Sequence, residues 1–189
     1  MRERLAATPL PVVDAADDAR AAVALILRAR PEGGTELLFI RRADDPRDPW
    51  SGHIAFPGGR MDKTDRDSLA TAVRETREEI GLALDDHAEL LGALPDLPAI
   101  ARGKRFGMTL SPHVFQLREG APPLVPNQEV AAIVWADLAP LAAGTLRTTF
   151  PYVHEGKPLE LPGHRLGEHV VWGLTFHMLE SFLGIVGPE

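Results

Sequence analysis

Ala70-Thr71-Ala72-Val73-Arg74-Glu75-Thr76-Arg77-Glu78-Glu79-Ile80-Gly81-Leu82 sorts its side chains into two groups when wound at about 100° per residue. Glu75, Glu78 and Glu79 fall on one side, and Leu69, Ala72, Val73, Thr76 and Ile80 fall on another, roughly 120° away. A helix with a core face and an acidic face is therefore expected. Like charges at i,i+3 and i,i+4 cost roughly 0.2–0.5 kcal/mol per pair, and Glu78 and Glu79 occupy the last turn, where acids oppose the helix dipole. A hard divalent cation removes that repulsion, and carboxylate oxygens suit magnesium, manganese or calcium. Arg74, one turn before Glu78, can fix a glutamate rotamer by a charge-assisted hydrogen bond. The alternative is a solvated surface helix laced with ordinary ion pairs.

Upstream, Ile54-Ala55-Phe56-Pro57-Gly58-Gly59-Arg60 reads as a short buried strand ending at a Gly-Gly turn, followed by a polar loop. Strand, glycine turn and acidic helix together resemble the signature box of the Nudix hydrolases, through Gly59, Arg74, Glu75, Glu78, Glu79, Gly81 and Leu82. The chain departs from the family pattern at Asp65, which stands in place of a glutamate, and residues 66 to 73 between it and Arg74 number one more than the pattern has. Asp65 is either a loop residue or helix N-cap, competing with Asp67 and Ser68, or a support for the metal site.

Further segments resemble the coenzyme A diphosphatase branch of that family: Leu37-Leu38-Phe39-Ile40-Arg41-Arg42, Pro49-Trp50-Ser51-Gly52-His53, Phe150-Pro151-Tyr152 and Val171-Trp172-Gly173-Leu174-Thr175. Arg47 is the nearest counterpart of an arginine in that branch, one position out of register. The resemblance implies a Nudix-type three-layer α/β/α sandwich around a mixed β-sheet. It implies metal-dependent hydrolysis of a nucleoside diphosphate linked to another moiety, with Mg2+ or Mn2+ as cofactor. In this branch the substrate would be coenzyme A, cut to 4'-phosphopantetheine and adenosine 3',5'-bisphosphate. Glu75, Glu78 and Glu79 would hold the metal, with the Gly58 carbonyl as a further ligand. Glu75 or Glu129 would take a proton from the attacking water, and Arg74 would orient the glutamates. Glu129 has a plainer reading as a charged residue at a strand edge.

Arg102, Lys104 and Arg105 form a basic cluster suited to clamping substrate phosphates, and Arg41, Arg42 and Arg60 lie on segments leading to the glycine turn. Each also reads as a surface cation. The histidines lack metal-ligand spacing and are assigned to capping or packing, His53, His164 and His169 included. Trp50, Tyr152 and Trp172 could stack on an adenine, but in a chain with so few aromatic residues they are assigned first to packing and left out of the site.

With 189 residues, 44% of them hydrophobic, one core and one domain are expected: a loose N-terminal arm over 1–20 and the domain over 21–189. The absence of cysteine excludes disulfides, thiolate nucleophiles and zinc-thiolate sites. A net charge of -7 works against nucleic-acid binding, so the expected partner is a small-molecule nucleotide, with a homodimer left open. No apolar run approaches the roughly eighteen residues of a membrane span, and no signal-peptide core follows Met1-Arg2-Glu3-Arg4; a cytoplasmic protein is expected.

Ala21–Ala29 and Glu36–Arg42, separated by Pro31-Glu32-Gly33-Gly34, read as a hairpin. Ala88–Leu94, Met108–Leu117 and Val130–Trp135 read as further strands, with Asp137 capping a short helix through Leu141. Val171, Leu174, Thr175, Met178, Leu179 and Phe182 recur with the spacing of a helix packed on a core. Rival functions are hydrolysis of ADP-ribose, NADH or dinucleoside polyphosphates, a non-catalytic nucleotide sensor, and a structural acidic helix without metal.

Overall fold

The glycine-rich hairpin forms where the sequence places it. β1 (Ala19–Ala29) and β2 (Thr35–Arg42) pair antiparallel through Leu27↔Leu37 and Ala29↔Thr35. Gly33 and Gly34 make the turn at φ of 96° and 92°, a region open to glycine at no steric cost. The computed structural model describes residues 5, 19–48, 50–101 and 104–187.

β1 is buried on both faces, which is why its sequence is nearly continuous apolar. β7 (Lys104–Leu117) runs parallel to it from Ala19↔Met108 to Leu27↔Gln116. β5 (Ala88–Ala93) and β6 (Leu97–Ala101) pair antiparallel with β7, while β3 (Ile54–Ala55) and β8 (Val130–Asp137) pair antiparallel with β2. The sheet is thus mixed, as expected. β4 (Gly58–Arg60) takes the edge of β1 over Ala21–Val23, whereas β2 holds that strand over Leu27–Ala29. The strand is therefore forked, with β4 occupying one half and β2 the other.

Alternation along β1 divides the core into two layers. Ala22, Ala24 and Ile26 pack with Leu38, Ile40 and with Ala72 and Ile80 of α1 (Ser68–Ile80). Val23, Leu25 and Leu27 pack with Phe39 and with Phe176, Met178, Leu179 and Phe182 of α4 (Gly173–Val186). Helix, sheet and helix make the three layers of the sandwich. Two short helices, α2 (Leu84–His87) and α3 (Leu138–Ala142), also lie among the described residues, and Asp137 caps the latter by accepting the Ala139 N–H at 3.3 Å.

Three expectations need correction. Residues 97–101 and 147–166, where the sequence reading assigns no strand, carry three: β6 and then β9 (Arg147–His154) and β10 (Lys157–Leu166), which join β11 (His169–Trp172) in a second antiparallel sheet. Val171 belongs to β11, not to the terminal helix, which starts at Gly173 with φ 63°. Its side chain still enters the same core as the helix stripe. Finally, β1 begins inside the stretch expected as an arm, and Leu5 is buried against Gly92. The rest of that arm lies outside the described residues.

Gly58 has φ 150°, and a Cβ there would sit 2.2 Å from the Ala22 carbonyl oxygen and 2.6 Å from the Val23 Cα. Both are backbone atoms of the central strand and cannot swing aside. Gly58→Ala is expected to cost at least about 2 kcal/mol, lowering the melting temperature by roughly 4–8 °C in thermal denaturation.

Candidate active site

The acidic helix is defined at both ends. Asp67 caps it by accepting the Ala70 N–H at 2.8 Å, and Gly81, at φ 70°, ends it by donating its N–H to the Arg77 carbonyl. Asp67 therefore takes the capping role, and Asp65 is free for another. Residues 62–65 form a turn in which the Asp65 N–H donates to the Asp62 carbonyl and Asp62 Oδ1 accepts from Thr64. The turn presents the Asp65 carboxylate to Arg74, which donates from Nε at 3.0 Å and from Nη2 at 2.8 Å. Thr71 Oγ1 and the Asp62 N–H also donate to it. Arg74 foremost, with these donors, holds the Asp65 carboxyl well below the usual carboxylate range.

Arg74 does more than anchor Asp65. Its Nη1 donates to Glu75 Oε1 at 2.9 Å and Glu78 Oε2 at 3.1 Å, and its Nη2 donates to the Arg60 carbonyl at 3.0 Å. One guanidinium thus ties β4, the preceding loop and the acidic face together. Glu78 is exposed, whereas Glu75 lies against Gly59 of β4. A Cβ at Gly59 would come within 2.6 Å of both Glu75 carboxylate oxygens, so a side chain there would displace the Glu75 carboxylate from its place against β4. Burial pushes the Glu75 carboxyl up; Arg74 opposes the shift, and Glu78 and Glu129 add to it.

Glu79 is only 2% exposed. Its Oε2 accepts the Gly58 N–H at 2.8 Å, and its Oε1 lies 4.0 Å from Arg42 Nη1. Burial pushes its carboxyl up to about 7 against the pull of that N–H and of Arg42, with Glu75 and Glu129 reinforcing the rise. Arg42 is itself held by Asp48 Oδ2, at 2.8 Å from Nε and 2.6 Å from Nη2.

The loop before β8 is pinned to the last turn of α1: the Asn127 N–H donates to the Glu79 carbonyl and the Val125 N–H to the Ile80 carbonyl. The Glu129 carbonyl accepts the Ala43 N–H, and the exposed Glu129 charge acts on both Glu75 and Glu79.

Among the described residues no three acidic or imidazole groups are already gathered as a metal cage, because Arg74 takes up the charge of Glu75 and Glu78. The donor set nevertheless fits a hard dication. It is all oxygen, and it includes a buried carboxylate held by one N–H with a guanidinium only at 4.0 Å.

Two of the other cations are paired elsewhere. Arg41 pairs with Asp44 at 3.0 Å, and Arg47 pairs with Asp45 while remaining 88% exposed. Arg60 contributes its backbone carbonyl and has an exposed side chain. Lys104 and Arg105 open β7 opposite Ala101 and Ile100, and Arg102 lies outside the described residues. Sequence reasoning missed Asp48 and Asn127, which position Arg42 and the Glu129 loop. Neither stands in a pattern that could have singled it out. The Gly58 N–H was also missed, since the family resemblance pointed to its carbonyl.

Residues 18–153 match the NUDIX domain. The chain is 32% identical over 178 residues to the mitochondrial coenzyme A diphosphatase of Homo sapiens, covering 86% of this chain and 72% of that protein. It is 36% identical over 115 residues to the peroxisomal coenzyme A diphosphatase of Caenorhabditis elegans, and spans only 46% of that protein's length. A MutT/nudix family protein from Enterococcus faecalis shares the fold, with a TM-score of 0.63 at 18% identity, over 95% of this chain and 65% of that one.

The raised Glu79 carboxyl gives the metal-free protein a pH signature. Between its ordinary value of 4.5 and about 7 the folded state keeps a proton that the unfolded state has released. The resulting stabilisation is full below the lower value and is lost as pH rises to the upper one, by roughly 3 kcal/mol. Glu75 acts in the same direction. Melting curves in EDTA should therefore fall between pH 5 and pH 7.5 in the wild type and fall much less in Glu79→Gln; equal slopes would refute the assignment.

Proposed function

This chain belongs to the Nudix hydrolase family, pyrophosphohydrolases, and on that premise we propose that it cleaves the diphosphate of coenzyme A or a derivative. The observation that carries the reaction is the meeting of Glu75 and Glu79 with Gly59 and Gly58 of β4, beside Glu78, which Arg74 joins to Glu75. The choice of substrate is supported by the two coenzyme A diphosphatases among its relatives and by the segments from Leu37 to Thr175 that resemble that branch.

Glu75, Glu78, Glu79 and the Gly58 carbonyl would hold Mg2+ or Mn2+. Such an ion supplies neutralising charge for the diphosphate oxygens and acidifies a coordinated water. Arg74 keeps Glu75 and Glu78 oriented, and Asp65 keeps Arg74 in place. Glu75 or Glu129 accepts the proton of the attacking water, whose oxygen forms the new bond to phosphorus as the bridging P–O bond breaks. The raised Glu75 carboxyl suits it to that exchange. Arg42, beside Glu79, is the cation best placed to meet a substrate phosphate, with Arg41, Arg47, Arg60, Arg102, Lys104 and Arg105 as outer contacts.

Mass spectrometry of reactions with Mg2+ should find 4'-phosphopantetheine and adenosine 3',5'-bisphosphate from coenzyme A. Faster turnover of ADP-ribose, NADH or a dinucleoside polyphosphate would overturn the substrate assignment. Glu78→Gln and Glu79→Gln should each lower kcat at least about 100-fold while circular dichroism shows an intact fold. Full activity in either would remove that residue from the metal site.

A further inference from the structure

Large rings from separate elements gather beside the acidic site, outside both core layers. Trp172 stacks on Phe150 with centroids 4.3 Å apart and planes inclined by 8°. Tyr152 lies 5.5 Å from Trp172 and stacks on His154 at 6.5 Å and 19°. His53 approaches Trp172 to 4.6 Å. Phe150, Tyr152 and His154 are alternate residues of β9 and so share one face, with Leu161 and Leu159 opposite the first two. Phe150, Tyr152 and Trp172 are only half-buried, Leu159 is 44% exposed, and none of the four belongs to a core cluster. Packing alone, the role expected for Tyr152 and Trp172, does not account for rings left open to water.

The location supplies the reason. The His53 carbonyl accepts the Arg42 N–H at 3.0 Å, and the Arg42 guanidinium lies 4.0 Å from Glu79. From His53 the chain runs through β3 directly into Gly58, which holds Glu79. The ring face therefore borders the Arg42 side of the site. A diphosphate lying over Glu75 and Glu79 must carry its attached groups to one side or the other.

We infer that the face formed by Phe150, Tyr152 and Trp172 is the subsite for the planar base of the nucleotide. This rests on the hydrolase reading above and adds to it the surface that recognises the leaving or retained nucleoside. Near-parallel rings offer π-faces, which suit a flat base better than a flexible aliphatic arm. Leu159 extends the platform, and His154 and Lys157, opposite each other near the hairpin tip, supply a polar margin.

Binding of ADP and of 4'-phosphopantetheine to the full chain with Mg2+ tests this by calorimetry. Tyr152→Leu should weaken ADP about tenfold and leave 4'-phosphopantetheine unchanged, while Tyr152→Phe, which keeps the ring, should bind both as the wild type does. Should Tyr152→Leu fold poorly, Leu159→Glu at an exposed position on the same face should weaken ADP in the same way. Unchanged ADP affinity in a folded Tyr152→Leu would overturn the subsite. So would loss of 4'-phosphopantetheine binding alone, or a change in sedimentation with ADP affinity intact, which would mark a contact between copies. Absence of any Mg2+-dependent product from the wild type would instead defeat the hydrolase reading, and the ADP comparison would still stand or fall by itself.

Discussion

The acidic site exists because one guanidinium satisfies several acceptors at once. Arg74 donates from all three of its nitrogens, to Asp65, Glu75, Glu78 and the Arg60 carbonyl. Only a planar fork can do this; a lysine would offer a single compact charge. Without it, Asp65 would be a buried carboxylate facing an acidic helix. Removing one partner of such a network leaves an uncompensated charge, which is far more costly than the network is stabilising. Holding Asp65 ionised in turn fixes the turn over residues 62–65, and through it the distance from β4 to the helix.

A second constraint acts from the sheet. β4 can lie against β1 only because Gly58 lacks a side chain, and the Glu75 carboxylate takes its present position against β4 in the space left by Gly59. Two adjacent glycines therefore let a strand, a neighbouring strand and a helix approach more closely than ordinary residues would allow. The Gly58 N–H is thereby brought to Glu79, whose ionisation burial opposes. The forked edge of β1 is the geometric condition for this, since a full-length β2 pairing would leave β4 no place. Fold and site share one cause here.

Much of this was legible in the sequence because its signals are local. The Gly33-Gly34 turn, the apolar runs beside it, and the two faces of the acidic helix each depend on neighbouring residues alone. The strands that escaped notice carry proline: Pro98 in β6, and Pro151, Pro158 and Pro162 in β9 and β10. Proline lacks the N–H that a ladder needs and so argues against a strand, yet β10 carries two prolines between β9 and β11. β9 also alternates exposed with half-buried residues, so it lacks the strong apolar contrast that marks a core strand. Asp65 was ambiguous for the opposite reason. Its local signal fitted a cap, and only the turn geometry shows that Asp67 fills that role.

The second sheet shows how recognition can be built apart from the reaction. β10 serves two purposes through the simple alternation of a strand. On one face, Leu159, Leu161 and Gly163 stand opposite Tyr152, Phe150 and Trp172. On the other, His164 is fully buried and its Nε2 meets Glu180 Oε1 of α4 at 2.7 Å, with Arg147 on the second oxygen of the same carboxylate. Burial raises the Glu180 carboxyl, yet His164 and Arg147 together hold it below its ordinary value, so Glu180 stays ionised near neutral pH. Gly163 admits no side chain, because a Cβ would lie 2.6 Å from the Val171 carbonyl oxygen. That close approach sets Trp172 against the ring face while the tether fixes the sheet to α4. Changes to the rings would then alter what the surface accepts without disturbing the tether, the core or the acidic helix, which is the separation a hydrolase needs if one reaction is to serve many attached groups.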